Sequence, residues 1–150
     1  MISRYLLRSR TFPQFKPRML IQSATILHAR LLAVFLKTNY ALPVRINTNG
    51  LADLINKRPV APLLAGKIDT LSISLNSSNP EIYEKTVRPV FKEKAFPAML
   101  AFAQEAKKYV PKVILTTVAT TITKEDEEEC TRLCERLGVT HRIRKFVEIK

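Results

Sequence analysis

Two stretches decide the fold of this chain: Arg45-Ile46-Asn47-Thr48-Asn49-Gly50 and Thr70-Leu71-Ser72-Ile73-Ser74-Leu75-Asn76. Each reads as a β-branched strand that ends in small polar side chains, where a turn begins. About 20 residues with a helical apolar spacing separate them, which predicts a βαβ unit with parallel strands. Parallel strands place their carboxyl ends at one edge of the sheet, where α/β folds bind ligands. The sequence therefore predicts a polar ligand-binding edge.

Composition allows one packed domain and excludes several other classes. The chain has 150 residues, of which 46% are apolar and 25% charged. Three glycines are too few for glycine-rich phosphate loops, and two cysteines do not make a disulfide scaffold. The longest apolar stretch, residues 24–36, is short and contains His28 and Arg30. We therefore expect no membrane span and a cytoplasmic protein.

The net charge of +12 is concentrated at one end of the chain. Residues 1–50 contain eight Lys or Arg and no acid, whereas residues 51–150 contain 17 basic and 13 acidic side chains. The later part is only mildly basic, and it shows neither an aromatic-interleaved basic strand nor a recognition helix. We do not expect nucleic acid as a partner.

Apolar periodicity predicts alternating helices and strands after an irregular segment at residues 1–23. Helices are predicted over 24–40, 95–109 and 124–137, with a weak helical region over 53–64 and a short helix from Ser78 to near Val87. Ser78 is the predicted N-cap of that short helix, and Thr123 the N-cap of the last, with Asp126 in the capping-box position. Four parallel strands are predicted near 44–47, 69–75, 113–119 and 140–147.

An ordered series of short motifs carries a family resemblance. The series comprises Thr48-Asn49-Gly50, Ser72 to Asn76, Asn79-Pro80-Glu81-Ile82-Tyr83, Arg88-Pro89, Lys94-Ala95-Phe96, Glu105 to Tyr109, Leu133 to Val139 and Arg142-Ile143-Arg144. From residue 32 to residue 146, the chain resembles radical S-adenosylmethionine (SAM) enzymes, in particular the small TatD-linked or TatD-associated type. The resemblance covers about 110 residues.

The resemblance implies an α/β fold, an incomplete radical-SAM-type (βα) partial barrel with about four parallel strands. The first two strands of the family barrel are missing or replaced. Residues 1–31 then form a basic segment outside the family, and residues 32–150 form the partial barrel. SAM lies across the carboxyl ends of the strands in this family.

The same resemblance implies five cofactor-binding residues. Ser74 matches a small residue that contacts the ribose or methionine part of SAM, and Asn76 lies just beyond it. Asn47 and Thr48 match inward-facing positions of the preceding strand, and Val118 matches an apolar contact to the adenine.

The family's catalytic motifs are absent from this sequence. Three cysteines, spaced C-x₃-C-x₂-C, hold the [4Fe–4S] cluster in the family, and cluster iron needs thiolate ligands. The Gly-Gly-Glu-Pro type motif that grips the SAM amine is also missing, because residues 1–49 contain neither glycine nor acid. We therefore expect no catalytic residue, no cluster on this chain alone, no SAM cleavage and at most weak SAM binding.

The cysteines and histidines are predicted to have structural roles. Cys130 and Cys134 lie four apart on a predicted helix, and two thiols are too few for a closed zinc or cluster site. We expect them to pack in the core. His28 and His141 have no neighbouring ligand cluster, so no metal site is predicted.

The basic first segment has three explanations. Its composition is typical of a mitochondrial transit peptide, and it could equally be a basic tail that binds an anionic partner. We favour a frame-shifted translation that joins the true reading frame near Leu32. It explains the absence of both family motifs, the lack of acids and glycines, and the abrupt change in the composition of the sequence.

Two function classes follow. The first is an incomplete radical SAM protein that is inactive as this chain. The second is a non-catalytic α/β half-barrel that acts as a binding or interaction module. A sheet that lacks its first strands would leave an unpaired edge near Val44, and such an edge invites self-association or a partner polypeptide.

Overall fold

The computed structural model describes residues 19–22 and 26–146. Five strands and five helices alternate along them, with two 3₁₀ turns. In chain order they are β1 (Met19–Gln22), α1 (Ile26–Tyr40), β2 (Val44–Thr48), α2 (Ala52–Asn56), a 3₁₀ turn (Ala61–Leu64), β3 (Thr70–Ser74), α3 (Pro80–Val87), a 3₁₀ turn (Lys92–Lys94), α4 (Ala95–Ala106), β4 (Lys112–Val118), α5 (Lys124–Leu137) and β5 (Thr140–Arg144).

The strands form one parallel sheet in the order β1-β2-β3-β4-β5. Each strand therefore adds next to the one before it, in the same direction. Right-handed crossovers that always step in one direction return over the same face of a sheet. Consistent with this, one apolar cluster contains the buried residues of the helices together with every second residue of the central strands. These strand residues are Val44, Ile46, Leu71, Ile73, Val113 and Leu115.

The remaining residues of the strands, every second one, point to the opposite side of the sheet. No helix among the described residues covers that side, and we call it the helix-free face. By strand register it carries Arg45, Asn47, Thr70, Ser72, Ser74, Lys112, Ile114, Thr116, Val118, Thr140, Arg142 and Arg144. Most of these side chains are polar. Ile114 is buried but lies outside the apolar cluster that joins sheet and helices.

All four predicted strands are confirmed as β2 to β5, and all are parallel. Two predictions about the first part of the chain are wrong. Residues 19–22 form a strand inside the segment expected to be irregular, and β1 pairs with β2 from Met19 opposite Val44 onward. The edge near Val44 is therefore paired, and among the described strands the outer ones are β1 and β5. The prediction for residues 1–18 lies outside the described residues.

The helix α1 crosses residue 32 without interruption and packs on β2 through a narrow stripe. Ile26, Ala29, Ala33 and Leu36 recur at helical spacing and are buried. The buried stripe is narrow, because Leu31, Leu32, Val34 and Phe35 are 40–63% exposed.

Prolines shape the segment between β2 and β3. The weak helical region predicted over 53–64 contains Pro59 and Pro62, and it resolves into the short helix α2 and a 3₁₀ turn. The Asp53 carboxylate accepts a hydrogen bond from the Val60 amide at 2.8 Å, which ties the two pieces together.

Gly50 allows the chain to turn sharply between β2 and α2 against the core. Its φ is +78°, and a Cβ there would lie 2.7 Å from Met99 Cγ and 2.8 Å from Ile73 Cγ2. The turn therefore requires glycine for its backbone conformation and for the close approach of α4. Gly66 has a similar φ of +69°, but nothing lies within 4 Å of a Cβ built on it.

The two glycines make a matched pair for a stability measurement. We expect Gly50→Ala and Gly66→Ala to share a left-handed backbone cost of about 1–2 kcal/mol. Gly50→Ala should lose about 1–3 kcal/mol more, because the added methyl overpacks the core. Urea unfolding of both variants measures the difference, and equal losses would contradict the contact with Met99 and Ile73.

Candidate functional site

The carboxyl ends of β2, β3 and β4 meet at one edge of the sheet, which we call the carboxyl edge. Three of the predicted site residues, Asn47, Ser74 and Val118, lie on the helix-free face near this edge. Strand register puts Asn47 opposite Ser72, and Ser74 opposite Thr116. The structure thus brings residues from three neighbouring strands to the same side of the sheet.

Thr48 does not share that side. It pairs with the buried Ile73, and its hydroxyl accepts a hydrogen bond from the Gly50 amide at 3.2 Å. The expectation that Asn47 and Thr48 both face inward is wrong, because successive residues of a strand point to opposite faces. Thr48 stabilises the turn around Gly50.

Asn76 marks the point where β3 turns into the following loop. Its φ of +66° lies in the left-handed region, which asparagine tolerates better than most residues. Its amide and that of Leu75 both donate to the Thr116 carbonyl, at 3.3 and 2.9 Å. Asn76 is thus held by its backbone beside the end of β4.

Arg45 belongs to the same face and was not predicted from the sequence. Its Nε donates to Asn47 Oδ1 at 3.2 Å, and its Nη2 donates to Ser72 Oγ at 3.0 Å. These bonds fix the amide of Asn47 and place a cation in the middle of the face. An arginine two residues before the asparagine, on the same side of the strand, was the signal in the sequence.

Asp126 makes the densest polar cluster at the carboxyl edge. Its Oδ2 accepts from the Ser77 hydroxyl at 2.6 Å, and its Oδ1 accepts from the Ser78 amide at 2.9 Å and from the Ser78 hydroxyl. Burial raises the pKa of Asp126, but the hydrogen bonds from the two serines outweigh it and hold the pKa below its ordinary value. The cluster joins the start of α5 to the loop after β3.

Two helices have their N-caps beside the Asp126 cluster. Thr123 is the N-cap of α5 as predicted, since its hydroxyl accepts from the Asp126 amide at 3.2 Å. The predicted cap of α3 is wrong: Asn79 takes that role and accepts from the amides of Glu81 and Ile82, at 2.9 and 3.1 Å. Ser78 is unavailable because it binds Asp126.

Both cysteines are buried in the core on α5, as predicted. Burial raises the pKa of each thiol to about 12, and the nearby carboxylate of Asp126 adds to the effect at Cys130. Neither thiol forms a thiolate at neutral pH, so neither is suited to nucleophilic chemistry.

His141 on β5 is held by two hydroxyls on the side of the sheet that the helices cover. Thr117 Oγ1 lies 2.9 Å from its Nε2, and Thr131 Oγ1 lies 2.8 Å from its Nδ1. Thr131 donates its own proton to the Glu127 carbonyl, so its oxygen accepts from Nδ1–H. Burial lowers the pKa of His141, and the negative charge of Glu127 raises it by less. The pKa therefore lies below its ordinary value, which favours the neutral ring.

The loop after β4 forms a cavity at the carboxyl edge. It measures about 400 Å³ and is lined by Ile82, the loop residues 120–123 and Asp126. Thr120 has a φ of +71°, which costs a β-branched residue of the order of 1–3 kcal/mol. Asp126, already bound by two serines, is the only charged side chain lining this cavity.

Among the described residues, no group of three His, Cys, Asp or Glu side chains could hold a metal ion. In the same part of the chain, no helix has the length and apolar character to cross a bilayer. In comparisons with known proteins, no family model matches the chain, and no curated protein gives a significant match.

Asp126→Ala should destabilise the fold more than Glu125→Ala, its neighbour in the first turn of α5. Both variants lose a negative charge at the helix N-terminus, worth about 0.3–1 kcal/mol. Only Asp126→Ala leaves the buried Ser77 hydroxyl without an acceptor, which costs about 1–3 kcal/mol more.

The effect of Asp126→Ala should depend on pH. A carboxyl group whose pKa is lowered by folding stabilises the protein above its unfolded value of about 3.9 and loses that contribution as the pH falls through the folded pKa. Urea unfolding between pH 7 and acid should therefore show the wild type and Asp126→Ala converging. A constant gap would argue against a role for the charge.

His141 should make the protein less stable as the pH falls below about 6.5, the ordinary histidine value. Because folding lowers its pKa, the unfolded state binds more protons in that range, and stability is fully present only above it. Unfolding free energies at pH 7.5 and 5.5 should differ less in His141→Gln than in the wild type. A difference that His141→Gln leaves unchanged would contradict this assignment.

Proposed function

We propose that this chain is an incomplete radical-SAM-type half-barrel, which binds S-adenosylmethionine weakly at the carboxyl edge and does not cleave it alone. The observation that carries the proposal is the placement of Asn47, Ser74 and Val118. They come from three adjacent parallel strands, and they lie on the one face of the sheet that the described helices leave uncovered.

The winding of the sheet supports the family assignment. A parallel sheet in strictly sequential order, with the described helices on one face, is the arrangement expected of an opened segment of a (βα) barrel. The helix-free face then corresponds to the barrel interior. On this assignment, β2 is the family strand that ends at the Thr48-Asn49-Gly50 turn, and β1 stands where the family has the strand before it.

The chemistry of the three residues suits the less charged parts of SAM. Ser74 is half-buried, and its hydroxyl has no hydrogen-bond partner among the described residues. It can therefore form a hydrogen bond with a ribose hydroxyl. Asn47 retains its amide protons, because its bond from Arg45 uses the carbonyl oxygen. Val118 offers an apolar contact for an adenine ring.

The residues present do not fit an iron–sulfur cluster. The sequence has two cysteines, they are buried four residues apart on α5, and their pKa values of about 12 disfavour the thiolate that iron requires. No reductive step is therefore assigned to this chain. Without the iron that chelates its methionine end, SAM loses charge-assisted contacts worth about 1.5–3 kcal/mol each.

Titration calorimetry with SAM tests the proposal. We expect weak binding to the wild type and about tenfold weaker binding to Ser74→Leu, because the variant removes a hydrogen bond and adds bulk. Thr70→Leu is the matched control, since Thr70 lies on the same face of the same strand near its amino end. Tight binding that Ser74→Leu leaves unchanged would place the pocket elsewhere.

A second candidate, an interaction module, is supported by the outer side of α1. Leu31 and Phe35 are one helical turn apart and are 63% and 55% exposed, and Phe35 stacks edge-on with Tyr40. Exposed apolar stripes of this kind mark contact surfaces in many proteins. Absence of SAM binding, together with sedimentation that depends on protein concentration, would favour this function over the first.

A further inference from the structure

The charged residues within the five strands are all cations on one face of the sheet. Arg45, Lys112, Arg142 and Arg144 are the only Lys, Arg, Asp or Glu in the strand segments. Strand register places all four on the helix-free face. Such a one-signed arrangement concentrates a positive potential over that face.

A cavity of about 530 Å³ opens among these cations at the amino half of the face. Arg45, Lys112 and Arg142 line it, together with the hydroxyl-bearing Thr70 and Thr140. None of the proposed SAM residues lines the cavity, but the two sites adjoin: Arg142 is in register with Thr116 and Ser74, and Arg45 donates to Asn47.

Four polar side chains of this cavity have no partner among the described residues. Lys112 and Arg142 are exposed and form no ion pair with any described residue, and neither threonine hydroxyl has a hydrogen-bond partner there. Asp69 at the rim does not neutralise them. Its carboxylate accepts from the Lys37 ammonium at 2.8 Å and from the Val44 amide at 2.7 Å.

The floor of the cavity strengthens charge recognition. Ile114 lines it and is 5% exposed, and the neighbouring Ser72 is 4% exposed and engaged with the Arg45 guanidinium. Charges that face a buried, poorly hydrated floor interact more strongly than charges in open water. Arginine and lysine beside hydroxyls are the donors that proteins use for phosphate oxygens.

We propose that this cavity binds a small phosphorylated molecule, with Lys112 and Arg142 as its principal phosphate contacts and Thr70 and Thr140 as hydroxyl donors. The volume lies in the range of small-molecule pockets. A concave pocket confined to four short strands suits a compact anion better than an extended nucleic acid backbone. The proposal does not depend on SAM binding.

Inorganic pyrophosphate is the probe, titrated by calorimetry into the full chain at low ionic strength. The double variant Lys112→Gln, Arg142→Gln should bind it at least about tenfold more weakly, because it loses two charge-assisted contacts. The control Arg58→Gln, Lys124→Gln removes the same charge from exposed positions outside the cavity, and it should stay within about twofold of the wild type.

Amide chemical shifts of the wild type give a test that requires no variant. Pyrophosphate should shift the amides of Thr70, Lys112, Thr140 and Arg142 and leave those of α3 unchanged. Three results would overturn the proposal: no pyrophosphate binding, equal weakening in both double variants, or shifts confined to other residues. Tight binding of a single-stranded oligonucleotide that pyrophosphate does not displace would also overturn it, in favour of a nucleic acid surface.

Discussion

Each crossover between neighbouring strands returns over the same side of the sheet, and this constraint shapes everything else in the protein. Right-handed connections that always step in one direction cover one face with helices and leave the other without them. The covered face is mostly apolar, and the close approach of α4 to the β2 turn leaves room only for glycine at position 50. The opposite face is free to carry polar and charged side chains.

The carboxyl edge is held in place by one carboxylate. Asp126 lies in the first turn of α5 and binds the two serines that follow β3, so the loops after β3 and β4 form one unit. The choice of Asn79 as the cap of α3 follows from the same contacts, because they occupy Ser78. Any ligand that reaches Ser74 from this edge meets loops whose polar groups already satisfy one another, which favours a preformed site over one that folds around its ligand.

Local patterns in the sequence were enough to predict β2 to β5, the Thr123 cap and the burial of both cysteines. Strand alternation and capping chemistry act over a few residues, so they can be read directly. The strand β1 was missed because four residues beside an Arg-rich segment carry little pattern. The contacts of Ser77 and Ser78 with Asp126 span 49 and 48 residues, and only the fold brings them together. The resemblance implies that Asn47 and Thr48 face the same cavity, but adjacent residues of a strand face opposite sides of the sheet.

Four cations on one face of a small sheet repel one another, and this repulsion opposes folding. The structure relieves it in part at Arg45, whose guanidinium donates to Asn47 and Ser72. No corresponding bonds from Lys112, Arg142 or Arg144 exist among the described residues. A bound polyanion would remove the remaining repulsion and would stabilise the folded state, because it binds that state alone. The phosphate site proposed above would give this uneven charge a role, since apolar or hydroxyl side chains at the same positions would fold without that cost.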